Sequence, residues 1–161
     1  MLNVNDLLIE VKARQSQSPE EKGLLIREMF LLWYALLEGV ECENFSEPEL
    51  TVMLNKCIER FKVNFYNDAD CTFIVGWAVT ISFWIFGTAF TEEEGKGILI
   101  AAYRNQPANK LFKWANRQEL NLSKKEIETL EMELLNNFYS YYNYGPYIKE
   151  YFLDVVSTPI N

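Results

Sequence analysis

The chain has 161 residues, of which 49% are hydrophobic and 15% aromatic, with 23 acids against 15 bases for a net charge of −8. That length fits one domain with one hydrophobic core, and that apolar share excludes a disordered chain. An acidic surface repels phosphate backbones, which argues against a nucleic-acid partner, and it suits a basic protein surface.

The opening MLNVNDLLIEVK carries no basic stretch followed by an apolar run, so no secretory signal is expected. A first helix is predicted over about 3–14, with Val4, Leu7, Leu8 and Val11 on one face. Ser18 followed by Glu21 reads as a capping box: the hydroxyl accepts from the third-residue N–H, and the carboxylate reaches back to the cap N–H. Pro19 then takes the first helical position, where its missing N–H does no harm. The box predicts a second helix, about 19–38, through Leu24, Leu25, Met29, Leu32, Trp33 and Leu36, ended by Gly39. Ser46–Glu49 opens a third, about 47–66, with Leu50, Leu54, Cys57, Ile58, Phe61 and Phe65 at helical spacing.

From Cys71 to Thr91 no residue is charged. The run is long enough to span a bilayer. Its flanks are acidic, though, with Asp68 and Asp70 before it and Glu92, Glu93 and Glu94 after it. No Lys or Arg anchors either end. A helix apolar on every side is also what the centre of a bundle requires. The fourth helix, about 69–87, is therefore expected to be the buried centre, with no membrane partner.

Thr91–Glu94 opens a fifth helix, about 92–106, which stops before Pro107. Gly95 and Gly97 fall inside it, where small residues let another helix come close. A sixth is predicted over about 108–118, with Leu111, Phe112 and Ala115 inward. Ser123–Glu126 opens a seventh, about 124–143, striped by Ile127, Leu130, Leu134, Leu135 and Phe138. Gly145–Pro146 separates it from an eighth, about 146–156. No strand pattern competes, and short links make consecutive helices antiparallel. The expected fold is all-α: a single-domain bundle, 1–161, of about eight antiparallel helices around the central apolar helix.

The chain has no histidine. This removes Ser–His and Cys–His nucleophilic pairs and nearly every catalytic zinc site. Cys42, Cys57 and Cys71 match no zinc spacing and point to a reduced, cytoplasmic setting. No glycine-rich phosphate loop occurs, and Lys110, Lys113 and Arg117 form only a short basic edge. No enzyme activity, metal or cofactor is expected; a carboxylate-dependent enzyme would need two acids converging in a pocket.

Two features suit binding. If the helices alternate in direction, the loops at 39–46, 88–91 and 119–122 share one end of the bundle. That end gathers Glu38, Glu41, Glu43, Glu92 and Glu93. The second feature is the segment 138–152, where eight of fifteen residues are aromatic. Some of its tyrosines, with Tyr139, Tyr142, Tyr144 and Tyr147 as candidates, are expected to reach the surface. Exposed tyrosines give contact area at small entropic cost.

Leu99 and Ala102 ahead of Pro107, with Gly76 in the preceding helix, resemble a tetratricopeptide-type helical hairpin. The spacing departs from that repeat by several residues, and no second copy follows. Residues 70–115, with D-x-C-x-F-I-V-G-W, I-S-F-W-I-F-G, E-E-E-G-K and A-Y-x-x-x-P-x-N, resemble the small helical immunity proteins of bacterial polymorphic-toxin and contact-dependent growth-inhibition systems. That resemblance implies a cytoplasmic inhibitor that blocks a cognate toxin domain by direct binding. The alternative is a helical adaptor holding a peptide in a groove lined by aromatics such as Trp33 or Trp114.

Overall fold

Three of the four expected capping boxes form in the structure, a computed structural model that describes residues 3–18 and 21–158. Ser46, Thr91 and Ser123 each accept from the third-residue N–H, and Glu49, Glu94 and Glu126 each accept from the cap N–H in return. These boxes start α3 (Glu47–Arg60), α5 (Glu92–Asn105) and α7 (Lys124–Asn137). The other helices are α1 (Val4–Gln15), α2 (Lys22–Glu38), α4 (Ala69–Ser82), α6 (Lys110–Ala115) and α8 (Pro146–Ser157).

The box at Ser18 does not form. The Glu21 N–H donates to the Ser18 carbonyl at 3.3 Å, closing a turn, and α2 begins at Lys22 with no side-chain cap. Pro19 lies outside the described residues. At its other end α2 stops as expected, because Gly39 adopts a left-handed φ of 64° and returns its N–H to Ala35.

Two other boundaries move. After Arg60 the third helix widens into a π-turn over Phe61–Phe65, which keeps Phe61 in the core and swings Val63 outward. The seventh helix ends at Asn137, not near 143. There the chain tightens into a 3₁₀ turn, Phe138–Ser140, that drives Phe138 and Tyr142 into the core.

α4 is the buried centre. Its side chains from Cys71 to Val79 are all buried. Phe73 stacks on Phe112 of α6 with ring centroids 4.5 Å apart, and Trp77 donates to the Tyr151 hydroxyl of α8 at 3.0 Å. Trp33 of α2 donates to Ser82 Oγ at 2.7 Å. Ala69–Phe86 is long and apolar enough to cross a membrane, but 67% of that window is buried inside the protein. The regular helix breaks at Ser82, and a 3₁₀ turn follows over Phe83–Phe86.

The closest helix pair is α4 with α5. A Cβ on Gly76 would lie 2.6 Å from the Leu99 backbone nitrogen, and one on Gly95 would lie 2.7 Å from Val79 Cγ1 and 3.0 Å from the Thr80 nitrogen. Residue 76 facing 99, and 79 facing 95, make the pair antiparallel. Only glycine permits this approach, and it brings the two backbones into dispersion contact. Gly97 plays no part in it, since a Cβ there would meet nothing within 4 Å. In contrast, α2 and α4 run parallel: Lys22 meets Asp68 and Asp70 at one end, and Trp33 meets Ser82 further along.

Candidate functional site

The parallel run of α2 and α4 brings their C-terminal ends to one end of the bundle. The 3₁₀ turn after α4 touches both α2 and α3 there. The antiparallel return of α5 puts Glu92 and Glu93 beside it, and Glu119 joins Ile81 and Lys96 around one shared cavity. Glu38, Glu41, Glu43, Glu92 and Glu93 are all exposed. Lys96 Nζ lies 3.7 Å from Glu92 and 3.6 Å from Glu93, so these two acids are partly offset. Glu38, Glu41 and Glu43 have no ion-pair partner among the described residues.

At this acidic end stands a residue that the sequence hid. Trp84 is 62% exposed, and Ile81, one turn before it, is 41% exposed. A large indole beside Ile81 and amid acids offers a partner apolar contact area within a charged surface. The uncharged run offers no polar stripe from which an outward face could be read. Only the break at Ser82 turns Trp84 away from the core.

The tyrosine-rich segment is mostly core, which corrects part of the expectation. Tyr142 is 1% exposed and donates to the Asp70 carbonyl at 2.7 Å, so it has no surface with which to meet a partner. Tyr144 is half-buried and donates to the Asp70 carboxylate. Tyr147 is half-buried against Phe30. Tyr139 does reach the surface, under the Lys149 ammonium at 4.5 Å. Burial raises the phenols of Tyr142, Tyr144 and Tyr147 well above the ordinary value, and for Tyr144 the Asp70 carboxylate adds to the effect. Trp33 and Trp114 are buried as well and line no groove.

Two acids, Asp68 and Asp70, come together at the start of α4. Asp68 caps the helix by accepting from Cys71 N at 3.0 Å, and Lys22 Nζ lies 3.1 Å from Asp68 and 3.3 Å from Asp70. Desolvation works to raise the Asp68 carboxyl, but the Cys71 N–H and the Lys22 ammonium outweigh it and hold it below the ordinary value. These are the partners of a helix cap joined to α2 and to the tyrosines. Burial pushes the thiols of Cys57 and Cys71 up, so neither supplies a thiolate near neutral pH. Among the described residues no group of three or more Cys, Asp or Glu is arranged to hold a metal.

A second surface feature is a groove of about 580 Å³ between the end of α3, the start of α4 and α5. Tyr66 and Phe90 form walls, Gly97 and Ala101 leave its floor open, and Lys62 lies over the Phe90 ring at 4.8 Å. No protein-family model, curated protein or solved structure matches the chain.

Proposed function

We propose that this chain is an inhibitory binding protein of the immunity type, which neutralises a toxin domain by covering a basic surface. The observation that carries the reading is Trp84, exposed at the end of the bundle where Glu38, Glu41, Glu43, Glu92 and Glu93 collect. Affinity comes from burying Trp84 and Ile81. The acids set association rate and partner choice, because complementary fields steer encounter. Tyr139 sits elsewhere and is a secondary contact at most. The absence of histidine supports a protein that offers surface instead of chemistry. The reading implies a cytoplasmic protein and a basic partner, such as a nuclease domain.

The test is protection. Cells producing a toxin domain encoded by a gene next to the one for this chain, where such a gene is found, are expected to survive when the chain is co-produced, and the two proteins are expected to co-purify. Trp84→Ala combined with Glu92→Lys and Glu93→Lys removes protection while leaving the helical circular-dichroism signal intact. Cells that die despite normal levels of the wild-type chain would sink the proposal.

The groove beside Gly97 favours a second reading, an adaptor that holds a peptide. Gly97→Leu would fill the floor of that groove without touching the core. If partner capture survives the Trp84 change and is lost with Gly97→Leu, the adaptor reading replaces the first.

A further inference from the structure

A groove of about 560 Å³ runs along the seam of α6 and α7. Pro107, Ala108 and Leu130 supply its apolar lining, and Lys110, Lys113 and Lys125 bring ammonium groups to it. None of these three lysines has an ion-pair partner among the described residues. Glu126 is the one acid in the lining, and its carboxylate already accepts the Ser123 N–H at 2.7 Å.

The sequence put Lys110, Lys113 and Arg117 on one basic edge, and the structure breaks that set. Arg117 lies over the Trp114 ring at 4.2 Å and donates to the Trp114 carbonyl at 3.1 Å. Lys125 of α7 takes its place at the groove. An apolar groove bordered by unpaired ammonium groups fits an apolar side chain that arrives with carboxylates beside it.

The chain itself displays that chemistry. Trp84 and Ile81 are exposed at the end of the bundle where Glu92 and Glu93 begin α5. The Lys96 pairs with these two acids are surface pairs and weak, so they yield to other ammonium groups. α5 runs from Glu92 to Asn105, just before Pro107, so a helix length of about 20 Å separates the acidic end from the groove. No molecule can place its own Trp84 in its own groove, and the two surfaces meet only between copies. A net charge of −8 makes copies repel at long range. At an ionic strength of about 0.15 M that repulsion is screened beyond about 8 Å, while charges brought into contact are screened far less.

We propose that copies of this chain associate head to tail, with the acidic end of one, centred on Trp84, docked in the α6–α7 groove of the next. The two patches differ, so the contact is heterologous and adds copies in a row. The proposal stands apart from the toxin reading, since it needs only this chain. The test is sedimentation velocity of the full chain over a dilution series reaching about 1 mM, the range of weak, transient contacts. The wild type is expected to grow in mean mass with concentration. Lys110→Glu with Lys125→Glu spoils the groove, and Trp84→Ala with Glu92→Lys and Glu93→Lys spoils the acidic end. Each set changes side chains at the surface and is expected to raise the dissociation constant at least about tenfold. An equal mixture of the two variants keeps one working contact, the acidic end of the first in the groove of the second. It is expected to form dimers and nothing larger. A wild type that stays monomeric throughout, or a mixture no heavier than its separate components, overturns the proposal. So does a monomeric wild type whose groove amides shift in NMR spectra on adding a synthetic Glu–Trp–Glu peptide, which would give the groove to a different protein.

Discussion

At the scale of single residues, the least expected feature is Glu28. It lies within the apolar stretch of α2 and is 1% exposed. Lys12 Nζ of α1 stands 3.5 Å from its carboxylate, and Arg60 Nη2 at the end of α3 stands 3.2 Å away. Gln15 donates to it as well. One buried carboxylate thereby ties three helices together. Removing it unpairs Lys12 and Arg60, whose side chains are 41% and 30% exposed and can turn to water. Glu28→Leu is therefore expected to cost about 1–3 kcal/mol, read as a lower urea midpoint at unchanged slope. A loss under about 1 kcal/mol would mean that the pair is only as strong as a surface pair. The sequence could not reveal this site, because one acid in an apolar run looks the same whether it faces water or a cation brought from another helix. The buried phenols carry a second residue-scale prediction. Desolvation holds Tyr142, Tyr144 and Tyr147 above the ordinary value of 10.0, and it pushes Tyr151 up to about 12. Folded values above unfolded ones mean that this contribution to stability is complete below pH 10 and falls as pH rises past it. The share of phenolate absorbance that belongs to these four tyrosines should therefore appear in one cooperative step together with loss of helix. Separate, gradual ionisation of these tyrosines with the fold intact would contradict their burial.

At the scale of elements, the two helical glycines of α5 make opposite predictions. Gly95→Ala forces a methyl into Val79 and the Thr80 backbone and should cost about 1–3 kcal/mol. Gly97→Ala meets nothing and should gain about 0.5–1 kcal/mol from helix propensity alone. Thermal melts of both variants check the pair, and two changes of the same sign would refute the α4–α5 contact. The sequence marked both glycines as places for close approach but could not say which one faces α4, because spacing alone does not fix a helix's rotation. Helix starts were far more legible. At Ser46, Thr91 and Ser123 the motif is local and needs only its own four residues. At Ser18 the same motif lost to a backbone turn. The end of the seventh helix was also not legible. Helical spacing continues past Asn137, and burial of Phe138 and Tyr142 against α4, α6 and α8 decides where it stops.

At the scale of the whole molecule, a bundle wrapped around a helix uncharged from Cys71 onward followed directly from composition and periodicity. The acids at one end follow from alternating helix directions. The exposed indole among them does not, since it needs the break at Ser82 that only the packed structure supplies. The aromatic tail ran the other way: it has the residue types of an interface, but the structure uses Tyr142, Tyr144 and Tyr151 to close α8 over α2 and α4. The docking surface proposed above is a charged end with an apolar centre, and such a surface binds with a salt-dependent on-rate and an off-rate set by its apolar anchor, here Trp84. The most direct measurement of the proposed function is the binding kinetics of the purified chain, wild type and Trp84→Ala, with a basic toxin domain against which it protects cells, at low and high salt. The account predicts that high salt slows association for both proteins and that Trp84→Ala speeds dissociation by at least about thirtyfold, as for a hot-spot residue. Equal dissociation rates for the two, with association indifferent to salt, would contradict it.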